Sequence, residues 1–396
     1  MNTSTSETKD FPVSRAAWVV SGDELYGIRT ATLGMMEAAR RVGVEPCVIS
    51  LSEGTFSDEL HRSAIESICL GLAEAPNYVG GLFAKIRGLA AMSVYKRGLA
   101  RELEVALDRL RPDVVHLAWP HFTFMMGAVF HRRGLESFWE MPNIVGRTLP
   151  MDLNARMFRM ATRRWGIRPI ANSQYTASTL ARPGYEPAVV YPPTDTDRFS
   201  PRSDRFELRR SMGFGKDDVV VGVVARLFDA KGQREVAQAV GLLASRFPEL
   251  RLLLVGGPLD GEIAAEISST AVTGGYRDKI LLVDRVTDPR PYFGAMDLAV
   301  NARLDPEPFG LSVIEAMAMG LPVLAHALGG PAETVVDGQT GWLFKGVTAT
   351  SVQTALEKAL QERPRWQAMG CSARERAVER YSIEAASRSL RNVWKS

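Results

Sequence analysis

Short apolar runs alternate with amphipathic stretches along the whole of this 396-residue chain, and no other feature constrains its fold as much. Repeated strand–helix units wound into parallel sheets are what such a rhythm encodes. Strands are expected at 16–20, 45–50, 114–117, 137–141, 167–171 and 188–191, with helices between them. A stiff polar stretch, Pro-Pro-Thr-Asp-Thr-Asp at 192–197 followed by Pro201, then interrupts the pattern and marks a domain boundary. Beyond it the rhythm restarts, with strands at 219–224, 250–255, 280–283, 298–301 and 322–325 and helices after Lys231, Leu259, Phe309 and Ala349. The expectation is α/β: two Rossmann-like, doubly wound parallel-sheet domains, 13–195 and 196–380, facing a cleft lined by the carboxyl ends of their strands. Residues 381–396 are helical by pattern and are expected to pack back toward the first domain. Residues 1–12, polar and rich in Ser and Thr, are expected to be a loose tail.

Composition narrows the function classes. Hydrophobic residues make up 46% and charged residues 23%, enough for true cores and against whole-chain disorder. Lys and Arg outnumber Asp and Glu by only 48 to 45, so nucleic-acid binding is not expected. Cys47, Cys69 and Cys371 are too far apart for a metal spacing or a disulfide framework, which fits a reduced, cytoplasmic setting. No signal-type apolar run opens the chain, and no stretch of about 18 apolar residues suggests a spanning helix. Peripheral membrane contact stays open.

The most informative stretch is Glu307-Pro-Phe-Gly-Leu-Ser-Val-Ile-Glu315. Gly310 permits close backbone approach, and the amides of Phe309, Gly310 and Leu311, at a helix start, form an anion site suited to a diphosphate. Glu307 would sit beside that anion, while Glu315 can accept from both hydroxyls of a ribose. A second stretch, Arg226-Leu-Phe-Asp-Ala-Lys231-Gly, sets an Arg and a Lys at a strand exit, a bidentate grip and a point charge able to neutralise a pyrophosphate without a metal. Each element alone is equally a solvated helix entry.

Their joint order is similar to retaining glycosyltransferase family 4 of the GT-B fold. The resemblance rests on Arg226 to Gly232, on Glu307 to Glu315 with Phe-Gly-Leu between, on Glu315-Ala-Met-Ala-x-Gly-x-Pro-Val, on Gly329-Gly-x2-Glu333 and on Asp337-Gly-x-Thr-Gly341. It covers nearly all of the C-terminal half and is looser before it. It implies that Arg226 and Lys231 bind the donor diphosphate, that Glu315 binds the ribose and that Glu307 contacts the transferred sugar. It further implies transfer from a nucleotide-diphosphate sugar with retention, with no metal and no cofactor, to a glycan, lipid-linked or small-molecule acceptor. The first loop, Ser21 to Arg29, lacks GxGxxG, leaving Gly27 as the place where backbone can approach a donor phosphate. Epimerase or hydrolase chemistry on the same fold, or plain sugar-nucleotide binding, are the alternatives.

Ala225 stands where the family usually has Gly, and Asn301-Ala302 where Pro-Ser is common. The family often carries a His near the reacting sugar, at a strand end where this chain reads Phe138-Trp-Glu-Met-Pro-Asn143. Glu140, Asn143 and the earlier His121 are the candidates for its place. Between Gly146 and Arg168, the arginines 147, 156, 159, 163, 164 and 168 face a single acid, Asp152. Arg156, Arg159 and Arg163 share one helix face, either solvated or touching an anionic lipid or a phosphorylated acceptor.

Overall fold

The computed structural model describes residues 13–24, 26–72, 82–146 and 152–396; the expected tail 1–12 and Arg147 lie outside the described residues. Among the described residues thirteen strands form two parallel sheets. The first contains β1 (Arg15–Val20), β2 (Glu45–Ser50), β3 (Glu66–Cys69), β4 (Val114–Leu117), β5 (Glu136–Met141), β6 (Ile167–Ala171) and β7 (Ala188–Val189), in the order β3-β2-β1-β4-β5-β6-β7. The second contains β8 (Val219–Val224), β9 (Leu250–Val255), β10 (Ile280–Val283), β11 (Leu298–Asn301), β12 (Val323–His326) and β13 (Gly341–Phe344), in the order β10-β9-β8-β11-β12-β13. Parallel neighbours need crossovers, and the helices that supply them bury both faces, so the central strands are mostly apolar. β4 is buried at all four positions and β8 at all but its last.

Two strands lie beyond those expected, β3 and β13, each at a sheet edge. β3 is half-exposed and carries Glu66 and Ser67, while β13 begins inside the Asp-Gly-x-Thr-Gly turn. β7 stops two residues early, and β12 runs one residue later than expected, ending on His326.

The chain divides into two compact units, one running to Pro193 and including Ala386–Ser396, the other Thr194–Ala385. The division falls two residues before the expected one, and the C-terminal segment rejoins the first unit at 386 rather than 381. Tyr381 explains the second difference: its carbonyl accepts from the Thr194 amide at 2.8 Å and its ring meets Phe309 at 5.9 Å, both in the second unit. The last helix, Ile383–Lys395, therefore starts in one unit and ends in the other.

Register sets up the first unit's centre. Trp18 on β1 lies opposite His116 on β4, which lies opposite Phe138 on β5. Neighbouring parallel strands are about 4.8 Å apart, so the three rings stack at 4.8 and 5.0 Å. The second unit's core packs Val221, Val240, Leu252, Leu254 and Leu324 between sheet and helices. Arg226 and Lys231 lie on the loop leaving β8, Glu307 on the loop leaving β11 and the Gly329-Gly330 pair on the loop leaving β12.

Candidate active site

In the second unit, the loop after β8 carries Arg226 and Lys231. Arg226 is exposed, its guanidinium 5.3 Å from the centre of the Phe228 ring, and among the described residues no carboxylate pairs with it. Lys231 ends a short 3-10 turn, Asp229–Lys231, and the Leu304 amide donates to the Ala230 carbonyl at 2.8 Å, tying this loop to the one after β11. Across that seam Lys231 Nζ lies 2.7 Å from Glu307 Oε2. Glu307 is 7% exposed.

Its other oxygen, Oε1, accepts from Arg303 Nη1 at 2.9 Å. Arg303 is in turn gripped by Asp305 through Nε and Nη2, and its carbonyl faces His326 Nδ1 at 2.7 Å. A carbonyl only accepts, so that histidine's proton belongs on Nδ1. Sequence reasoning missed both Arg303 and His326; the spacing of Arg303 four residues before Glu307 was the available signal.

The Gly329-Gly330 pair holds the Glu307 backbone. Gly329 pairs with Glu307 as an isolated bridge and the Gly330 amide donates to the Glu307 carbonyl at 2.7 Å. At Gly329 φ is +83° and a Cβ would overlap that carbonyl, so glycine is required twice over. Gly310, at φ +94°, opens the helix Leu311–Ala318; its carbonyl accepts from the Val313 amide at 3.0 Å, while the Leu311 and Ser312 amides precede any intrahelical acceptor. Phe309 turns its side chain into the core, 3% exposed, so that ring is not presented to a ligand.

Glu315 lies on the same helix, 5% exposed. No hydrogen bond reaches its side chain from the described residues, and burial pushes its carboxyl up to about 7 against a smaller opposing pull from Arg198. A buried, unpartnered carboxyl is expensive, which makes it a candidate ligand-binding group.

The first unit's candidates are placed differently. Gly27 is exposed near the start of the helix Tyr26–Arg41 with open space where a Cβ would be. The loop before that helix is organised by Glu24, which the sequence reading passed over: it accepts from the Ser21 amide and hydroxyl, the Gly22 amide at 3.0 Å and Trp119 Nε1 at 3.2 Å. Glu140 Oε1 accepts from Trp18 Nε1 and faces His116 Nδ1, both at 2.9 Å. His116 Nε2 accepts from Trp394 Nε1 at 3.0 Å, which assigns its proton to Nδ1. Glu140 thus has one oxygen committed to a structural network that includes the C-terminal helix. Asn143 is exposed. His121 is exposed beside Trp119 and Phe122, whose packing desolvates it and draws its pKa below the ordinary value.

The expected arginine face needs correction. On the helix Leu153–Trp165, Arg159 is 6% exposed and points inward, donating to the Leu180 carbonyl at 3.0 Å and pairing with Asp152 at 3.4 Å. Arg163 lies over the Tyr185 ring at 5.0 Å. The outward stripe is instead Leu153, Met157 and Met160, at 44, 42 and 66% exposure, bordered by Arg156, Arg163 and Arg164. Among the described residues no helix is long and apolar enough to cross a membrane, and no cluster of three His, Cys, Asp or Glu side chains is placed to hold a metal ion.

The family described as glycosyl transferases group 1 matches residues 204–376, which hold every second-unit group above except Arg198. The lipopolysaccharide core biosynthesis mannosyltransferase LpsB of Rhizobium meliloti is 30% identical over 347 residues, 81% of this chain and 96% of that one. A GDP-mannose-dependent phosphatidylinositol monomannoside mannosyltransferase of Mycolicibacterium smegmatis is 28% identical over 311 residues, covering 68% and 79% of the two chains. Among solved structures, Anabaena HepE in complex with UDP and glucose superposes with a TM-score of 0.79 over 97% of this chain and 100% of that one, at 19% identity, a likeness of fold. With both parallel-sheet units matched in fold and a mannosyltransferase matched over nearly its full length, the chain belongs to the group 1 glycosyl transferases of the GT-B fold.

Proposed function

We propose that this glycosyltransferase moves a sugar from a nucleotide-diphosphate sugar to its acceptor with retention of configuration and without a metal. The observation that carries the reading is the pairing of Glu307 with two cations, together with an unpartnered, buried Glu315 on the helix that follows it. Arg226 and Lys231 hold the diphosphate, helped by the amides at the start of the Leu311–Ala318 helix, and Glu315 accepts from the ribose hydroxyls. Arg226, which has no carboxylate partner to give up among the described residues, and Lys231 together compensate charge on the departing diphosphate. Glu307, held through Oε1 by the anchored Arg303, is not free to advance as a nucleophile. It suits a stabiliser of positive charge on the sugar, while the leaving phosphate takes the acceptor proton. In the first unit His121, unprotonated at neutral pH by its depressed pKa, is the candidate acceptor of a sugar hydroxyl's hydrogen bond.

The donor proposed is GDP-mannose, since the Mycolicibacterium relative is named for it and LpsB is named a mannosyltransferase; UDP-glucose, named with Anabaena HepE, is the competitor. One of these mannosyltransferases is named for a phosphatidylinositol monomannoside and the other for lipopolysaccharide core biosynthesis. A lipid-linked, anionic acceptor also fits the outward Leu153, Met157 and Met160 stripe edged by arginines, which suits peripheral contact with an anionic surface. Thermal shift against GDP-mannose, UDP-glucose, ADP-glucose and dTDP-glucose tests the donor, as a ligand at 100 times its Kd stabilises by about 2.7 kcal/mol. NMR of the product anomer then tests retention. An inverted anomer, an epimerised free donor without acceptor, or activity abolished by chelator and restored by magnesium would each overturn its part of the reading.

A further inference from the structure

We propose that Arg303 is a positioning residue that lets Lys231 change partners: when donor arrives, Lys231 leaves Glu307 for the diphosphate and Arg303 alone keeps the Glu307 carboxylate compensated. The inference rests on the diphosphate role proposed for Lys231.

The two cations on Glu307 are not equivalent. Arg303 is anchored on every side: Nη1 goes to Glu307 Oε1 at 2.9 Å, Nε and Nη2 go to Asp305, and its carbonyl is held by His326 at 2.7 Å. Lys231 makes one ion pair among the described residues, with Glu307, its charge reaching Asp305 only at longer range, and its side chain is the more exposed of the two, 25% against 18%. A lysine is a compact charge on a flexible stem, whereas an arginine fork fixed by two carboxylates is not free to follow a ligand.

Removing one cation from a buried carboxylate is strongly unfavourable unless a second remains. Glu307 has that second cation on its other oxygen. Without Arg303, Lys231 would have to choose between Glu307 and the diphosphate, and a carboxylate in the same site would compete directly with the donor.

A double-mutant cycle read by calorimetry with GDP and UDP tests this. Arg303→Gln is expected to weaken nucleoside diphosphate binding at least tenfold. In a Glu307→Gln background, where Glu307 no longer competes for Lys231, the same change should weaken it less than threefold. Arg303→Lys should restore most of the affinity, and Asp305→Asn, which loosens Arg303 without removing it, should show a smaller loss.

Equal weakening in both backgrounds would make Arg303 a direct phosphate ligand and overturn the inference. So would an unchanged affinity in Arg303→Gln. Should Arg303→Gln fail to fold, Asp305→Asn against the Glu307→Gln background gives the same cycle, and absence of coupling there is equally fatal. Wild-type protein that binds no nucleoside diphosphate, or Lys231→Gln that binds as wild type, would sink the diphosphate assignment itself and this inference with it. Lys231→Gln that binds weakly alongside an uncoupled cycle would remove the inference alone.

Discussion

A buried carboxyl at Glu315 opposes folding, and the sign of its effect can be worked out. Its ordinary value is 4.5 and in the folded chain it stands at about 7. Below pH 4.5 it is protonated folded and unfolded alike and contributes nothing. Between 4.5 and 7 only the folded state holds the proton, so stability falls as pH rises through that window, by on the order of 3 kcal/mol in all. Glu315→Gln removes the titration. Its melting temperature at pH 8 should exceed that of wild type by several degrees and the two should converge near pH 4.5, while nucleoside diphosphate affinity drops. Equal melting curves at pH 8 would show that Glu315 is not desolvated. For Arg226→Ala, by contrast, the exposed and unpaired guanidinium predicts unchanged melting. Donor affinity should fall by about 1.5–3 kcal/mol, the range for a lost charge-assisted contact, and titration calorimetry reads it directly. These residues were legible because their spacing is local. Arg303 and His326 were not, because what they do depends on three strand exits meeting. Arg159 misled for a related reason: periodicity says which residues share a face, not whether an arginine on it finds the Leu180 carbonyl and Asp152 inside.

The central strands were legible at the level of elements because burial on both faces leaves continuous apolar runs. The edge strands β3 and β13 were not, because an edge needs only one partner and tolerates Glu66 and Ser67, or a turn residue at its start. Two glycines on the connecting loops behave in opposite ways. Gly329→Ala would force a Cβ into the Glu307 backbone at a left-handed φ, so both stability and transfer should fall, read by melting and by turnover. Gly27→Ala meets open space inside a helix, where alanine is favoured over glycine by about 0.5–1 kcal/mol. Stability there should hold or rise. A loss of donor affinity in that variant would then report close approach of a ligand to the backbone, and unchanged affinity would exclude Gly27 from the donor site.

Over the whole molecule, the chain's nearly balanced charge of +3 says little, whereas the path of its C-terminus says a good deal. Residues 386–396 belong to the first unit, although nearly two hundred residues of the second separate them from the rest of it. What holds them is specific: Trp394 is 3% exposed, its ring meets His116 edge-on at 5.7 Å, and its Nε1 supplies the hydrogen bond that fixes the His116 tautomer facing Glu140. Trp394→Ala would therefore remove a buried ring and leave a buried imidazole nitrogen without its donor. Large-to-small changes of this kind cost about 3–5 kcal/mol. The loss should be confined to the first unit, because Thr194–Ala385 has its own sheet and core. Hydrogen exchange distinguishes the outcomes: amides of β1, β4 and β5 should lose protection while those of β8, β9 and β11 keep theirs. Uniform loss across both sheets would mean that the two units unfold as one, and loss confined to the last helix would mean that Trp394 caps the first core without supporting it.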